Sequence, residues 1–125
     1  MKRILVIEDD ESHLRMLTTV LNKANYEVVS APNGYSGFEL FRENPCDLVI
    51  SDIFMPEQEG LETITKLKEY YPNTKIIAIS GGGIKTNYMP KDILEIAKDL
   101  GANKVMAKPL HIPDLLKTVM SLLGE

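Results

Sequence analysis

Five short runs rich in β-branched residues alternate along this chain with stretches whose apolar residues recur at helical spacing. The runs predict strands at Arg3–Ile7, Glu27–Ala31, Asp47–Ser51, Lys75–Ser80 and Lys104–Ala107. Between them, Leu14, Leu17, Leu21 and Ala24 fall on one helical face. Ile93, Ile96, Ala97 and Leu100 make a second face, and Ile112, Leu115, Leu116, Val119 and Leu123 a third. Gly34–Glu43 and Leu61–Tyr70 carry weaker helical patterns, the first with Asn33 as its N-cap. Pro113 suits the first turn of the last helix and Gly124 its C-terminal end. Strand–helix alternation of this kind implies right-handed βαβ crossovers. The expected fold is therefore α/β: a doubly wound five-stranded parallel sheet with helices on both faces. Ile4–Ile7 and Leu48–Ile50 are apolar without alternation, as strands buried from both sides should be.

A length of 125 residues fits one domain, 1–125, and a hydrophobic content of 44% is enough for a core. The net charge of −4 argues against direct nucleic-acid binding, which needs a basic footprint. No polybasic or strongly amphipathic segment suggests a membrane surface. Met1-Lys2-Arg3 is followed by an apolar run too short for a signal peptide, and no stretch approaches a membrane span, so a cytoplasmic location is expected. Cys46, the only cysteine, reads as a small buried core residue. His13 and His111 lack a second ligand at metal spacing and are expected in surface or capping roles.

In an open parallel sheet, sites form beyond the carboxyl ends of the strands. Here the first strand runs into Glu8-Asp9-Asp10, the third into Asp52, the fourth into Ser80-Gly81 and the fifth into Lys108-Pro109. Clustered carboxylates repel one another unless a cation or proton intervenes, and a few hard oxygen ligands favour Mg²⁺. A carboxylate can attack phosphorus to give an aspartyl phosphate, with metal, ammonium and hydroxyl stabilising the charge. Taken singly, each residue has a plainer role: Asp10 an N-cap, Glu8 or Asp9 a solvated strand end, Ser80 a turn residue, Lys108 a surface charge. Their joint placement on successive strand ends is what favours the chemical role.

The segments Ile4–Glu11, Asp47–Gly60, Ile76–Ser80 and Gly101-Ala102 leading to Lys108-Pro109 resemble the receiver domain of two-component response regulators, of the single-domain, chemotaxis-regulator-like kind. The spacing of Asp52, Met55-Pro56 and Gly60 is the most specific part of the likeness, which extends along the whole chain. The resemblance implies a flavodoxin-like strand order of 2-1-3-4-5. It implies Asp52 as phosphoacceptor, and Mg²⁺ held by Asp9, Asp52, the backbone carbonyl of Phe54 and, through a water, Glu8. Ser80, Lys108 and the backbone of Gly81 would bind the phosphoryl group and drive the switch, and a cis Lys108–Pro109 peptide is expected. The implied partners are a sensor histidine kinase or phosphotransfer protein as donor, and a protein target reached through the fourth helix, fifth strand and last helix. On this reading the chain is not an enzyme, although it promotes its own phosphorylation and dephosphorylation.

Three departures from the family pattern bear on output. Val105 stands where an aromatic is usual three residues before the lysine, Leu110 replaces a frequent Phe, and Gly81–Pro90 is a long βα connection. Two alternatives remain at this point. One is a receiver-like protein-binding module not regulated by phosphorylation. The other is an aspartate-nucleophile phosphatase, which would want a second acid where Phe54 stands.

Overall fold

A computed structural model describes residues 1–53, 59–80 and 90–125. The elements alternate in chain order as β1 (Arg3–Ile7), α1 (Glu11–Lys23), β2 (Glu27–Ala31), α2 (Gly34–Glu43) and β3 (Leu48–Asp52). They continue as α3 (Glu59–Tyr70), β4 (Lys75–Ser80), α4 (Pro90–Asp99), β5 (Lys104–Ala107) and α5 (Ile112–Leu122). Every strand pair is parallel and the order is β2-β1-β3-β4-β5, the doubly wound arrangement that alternation and resemblance together imply.

The pleat divides each strand between two cores. Ile4, Val6, Leu48, Ile50, Ile77 and Ile79 point to one face and pack with Leu17 and Leu21 of α1 and Leu115 and Val119 of α5. Leu5, Ile7, Val49, Ile76 and Ala78 point to the other, against Phe38, Phe41, Ile64, Leu67 and Ala97 from α2, α3 and α4. Since both sides of β1, β3 and β4 are covered, those strands carry no polar alternation.

The helix starts follow their caps. Asp10 caps α1, its Oδ1 accepting from the backbone N–H of Ser12 at 3.0 Å and of His13 at 3.2 Å. Asn33 caps α2 by accepting from the Ser36 N–H at 2.8 Å. Pro113 lies in the first turn of α5, and Gly124 adopts φ +75° just past its end.

Some boundaries differ from those the sequence predicts. The third strand runs Leu48–Asp52, not Asp47–Ser51. The reason is local: Asp47 bonds Arg3 twice, its N–H donating to the Arg3 carbonyl at 2.8 Å and its carboxylate accepting from the Arg3 N–H at 2.8 Å. Pairing therefore starts at Ile4↔Leu48, and Asp52 stays in the ladder opposite Ile79. The third helix starts at Glu59, before Leu61, and α4 starts at Pro90, a residue whose missing N–H suits a first turn. Ile96, expected on the inward face of α4, is 40% exposed, because Ala97 occupies the centre of that face. Residues 81–89 of the long βα connection lie outside the described residues.

Cys46 is half-buried and not fully so, packed at the margin of the core with Phe41 and Tyr71. Burial pushes its thiol up to about 11. At pH 8 the thiolate fraction is then about 100-fold below that of a free thiol, so alkylation by iodoacetamide should be slower in the folded chain by roughly that factor. Equal labelling rates with and without urea would contradict it.

Candidate functional site

The parallel register delivers Glu8, Asp52, Ser80 and Lys108 to one edge of the sheet. Three backbone bonds lock them there: the Glu8 N–H to the Ala31 carbonyl at 3.0 Å, Ile53 to Ile79 at 2.9 Å, and Lys108 to Ser80 at 2.8 Å. The Lys108–Pro109 peptide is cis, as expected.

The Lys108 ammonium lies between two buried carboxylates, 2.9 Å from Asp52 Oδ2 and 3.0 Å from Glu8 Oε1. Only 4% of Asp52 and 2% of Glu8 is exposed, so these are charges withdrawn from water. Burial pulls the Lys108 pKa down, but hydrogen bonds and charge attraction from Asp52 and Glu8 outweigh it, and the net shift is upward. The ammonium therefore stays charged throughout the neutral range. One cation serving two anions leaves the edge electronegative, and exposed Asp9 adds to it.

Carboxylate oxygens of Glu8, Asp9 and Asp52 all lie within 4.8 Å of one another. This oxygen-only donor set, part buried and part open to solvent, fits a hard divalent cation such as Mg²⁺. The Ser80 hydroxyl is buried and has no hydrogen-bond partner among the described residues. A buried unpaired hydroxyl is destabilising by about 1–3 kcal/mol, so its retention at a polar edge points to a partner that arrives with a ligand. Phe54 and Gly81, the two backbone contributors that the resemblance implies, lie outside the described residues, as do Met55 and Pro56 of the same motif.

Asp10 is turned away from the cluster into its capping role, and bonds from the Ser12 hydroxyl and the His13 N–H lower its pKa. His111 Nδ1 contacts the Asp114 carboxylate at 3.2 Å on the surface and makes no side-chain cap bond. His13 is different from expectation. Its Nδ1 contacts Glu8 Oε1, so it belongs to the acidic network and not to the surface. Residue 13 is one turn past the N-cap, on the side of α1 that faces back over the end of β1; only the phase of that helix reveals it.

The sequence signature of the response regulator receiver domain matches residues 4–120. The chain belongs to that family. Response regulator receiver protein CpdR of Brucella abortus is 37% identical over 98% of each chain. The polar-differentiation response regulator DivK of Brucella anthropi is 27% identical, over 99% of this chain and 98% of that one. Among solved structures, a response regulator receiver domain protein from Clostridium thermocellum superposes with a TM-score of 0.89 at 27% identity, covering 99% of this chain and 95% of that one. The receiver assignment and the five-stranded fold thus agree, and phosphorylation and Mg²⁺ are typical of this family of two-component systems. Among the described residues of this receiver, no helix is long and apolar enough to cross a membrane.

Proposed function

We propose that residues 1–125 act as one receiver domain, a cytoplasmic switch in which Asp52 accepts a phosphoryl group from a sensor histidine kinase or phosphotransfer protein. The carrying observation is the buried Asp52 carboxylate, paired with Lys108 within a three-carboxylate cluster. In the transfer, an Asp52 oxygen bonds to phosphorus as the phosphorus–nitrogen bond of the donor breaks, and the electron pair stays with the departing imidazole. Asp9, Asp52 and the Phe54 carbonyl would hold Mg²⁺, with Glu8 acting through a water. When bound, the ion offsets charge on the phosphoryl oxygens and the carboxylates.

Lys108 then exchanges its bond to Asp52 for one to a phosphoryl oxygen, and the Ser80 hydroxyl donates to another; the backbone of Gly81 would be a further phosphoryl-binding group. Charge-assisted bonds of about 1.5–3 kcal/mol each supply much of the roughly 5.5 kcal/mol needed to invert a 99:1 population. Ser80 and Lys108 end β4 and follow β5, so their movement reaches α4, β5 and α5, the surface for a protein target. Val105, half-buried where receivers usually carry an aromatic, has no ring to rotate, and the rearrangement passes through other groups on that side.

Incubation with acetyl phosphate and Mg²⁺ tests this. One phosphoryl mass should appear by intact-mass measurement and should be absent without the metal. A metal-independent adduct, or none under any condition, would refute the proposal.

A further inference from the structure

We infer that His13 is a positioning residue for the cation site, holding the Glu8 carboxylate in the acidic cluster both before and after Lys108 turns to the phosphoryl group. The inference rests on the assignment of Glu8, Asp9 and Asp52 to Mg²⁺.

The Glu8 side chain is 1% exposed, and three groups bond it. Lys108 Nζ and His13 Nδ1 both reach Oε1, while the Asp10 N–H reaches Oε2 at 3.2 Å. A carboxylate only accepts, so the Nδ1 carries the hydrogen of that bond. Two of the three donors are fixed to the start of α1: Asp10 is the cap, and the His13 backbone bonds the Asp10 carboxylate at 3.2 Å. The third is not fixed in this way, because Lys108 also serves Asp52 at 2.9 Å and is the group recruited by the phosphoryl oxygens.

Once Lys108 moves, Oε1 of a buried carboxylate would be left without a donor if His13 were absent. Glutamate has three side-chain torsions, so an unheld carboxylate can rotate out of the cluster. The imidazole is only 16% exposed and sits on a capped helix packed on the sheet through Leu17 and Leu21, which makes it a rigid backstop. Removing a group that orients a metal ligand typically costs about 10–100-fold in affinity, and Glu8, which reaches the ion through a water, belongs at the low end of that range.

Calorimetric titration of the full chain with Mg²⁺, combined with acetyl phosphate labelling at graded Mg²⁺, tests the inference. His13→Leu keeps bulk without a donor. Its Mg²⁺ dissociation constant should rise about tenfold, and the half-saturating Mg²⁺ for labelling should rise in parallel. The labelling rate at saturating Mg²⁺ should stay near the parent's, which a general loss of structure would not allow. His13→Asn, whose Nδ2 can stand in for Nδ1, should recover most of the affinity. Should His13→Leu fail to fold by circular dichroism, His13→Ala carries the same expectation against His13→Asn. Parent-like Mg²⁺ binding in the donor-free variants, or no recovery in His13→Asn, would overturn the role of His13 while leaving the cation site intact. A parent chain that binds no Mg²⁺ would instead overturn the cation site and this inference with it.

Discussion

Asp52→Asn is expected to gain no mass from acetyl phosphate and Mg²⁺ under conditions where the parent gains one phosphoryl group. The amide keeps the size of the side chain and removes the nucleophilic oxygen pair, so any loss reports chemistry and not packing. Neither neighbouring acid can substitute. Glu8 is held by Lys108, His13 and the Asp10 N–H, and Asp9 is exposed with no ammonium bonded to it among the described residues. The same change removes one of three carboxylates from a cluster whose oxygens lie within 4.8 Å, so Mg²⁺ affinity should fall as well. An adduct of unchanged yield on Asp52→Asn would move the phosphoacceptor elsewhere.

Gly60→Ala is expected to destabilise the fold by about 3 kcal/mol or more, at the upper end for overpacking. A Cβ at this position would stand 2.4 Å from the Ile53 Cα and 2.6 Å from the Asp52 carbonyl oxygen. Both are backbone atoms beside the end of β3, and Asp52 and Ile53 are tied to the sheet by the ladder and by the Ile53 N–H to the Ile79 carbonyl at 2.9 Å. Nothing there can give way without shifting the backbone of Asp52. Gly37 is a useful contrast. Its added Cβ would meet Ile7 Cδ1 at 2.6 Å and Cγ1 at 2.7 Å, atoms of a side chain and not of the backbone, so Gly37→Ala should be milder, though the buried Ile7 must still shift. Urea unfolding of both variants decides the matter; a Gly60→Ala midpoint equal to the parent's would show that α3 can slide on β3.

Much of this was legible in the chain itself. Periodicity alone separated strands from helices, because the two have different repeats and each must hide its apolar side. Strand-end logic then found Glu8, Asp52, Ser80 and Lys108, since in a parallel sheet every such end emerges at one edge. Asp10 and Asn33 declared their capping roles by chemistry and position. Even so, boundaries moved where a tertiary bond competed with propensity. The Arg3–Asp47 pair displaced the third strand by one residue, and no local pattern encodes a partner 44 positions away.

What the sequence by itself determined was therefore the order and type of the elements, the parallel sheet, and the set of residues available at its edge. These follow from local periods and chain connectivity. Only the tertiary structure decided who touches whom. Lys108 bridges Glu8 and Asp52 across separations of 100 and 56 residues, which depends on how separate strands stack. Ile96 faces outward and Cys46 stops at the core's margin because each core has a finite width that an apolar count does not measure. His13 joins the acidic network because the Asp10 cap and the packing of Leu17 and Leu21 set the rotation of α1, and a helix's phase against its sheet is a property of packing, not of period.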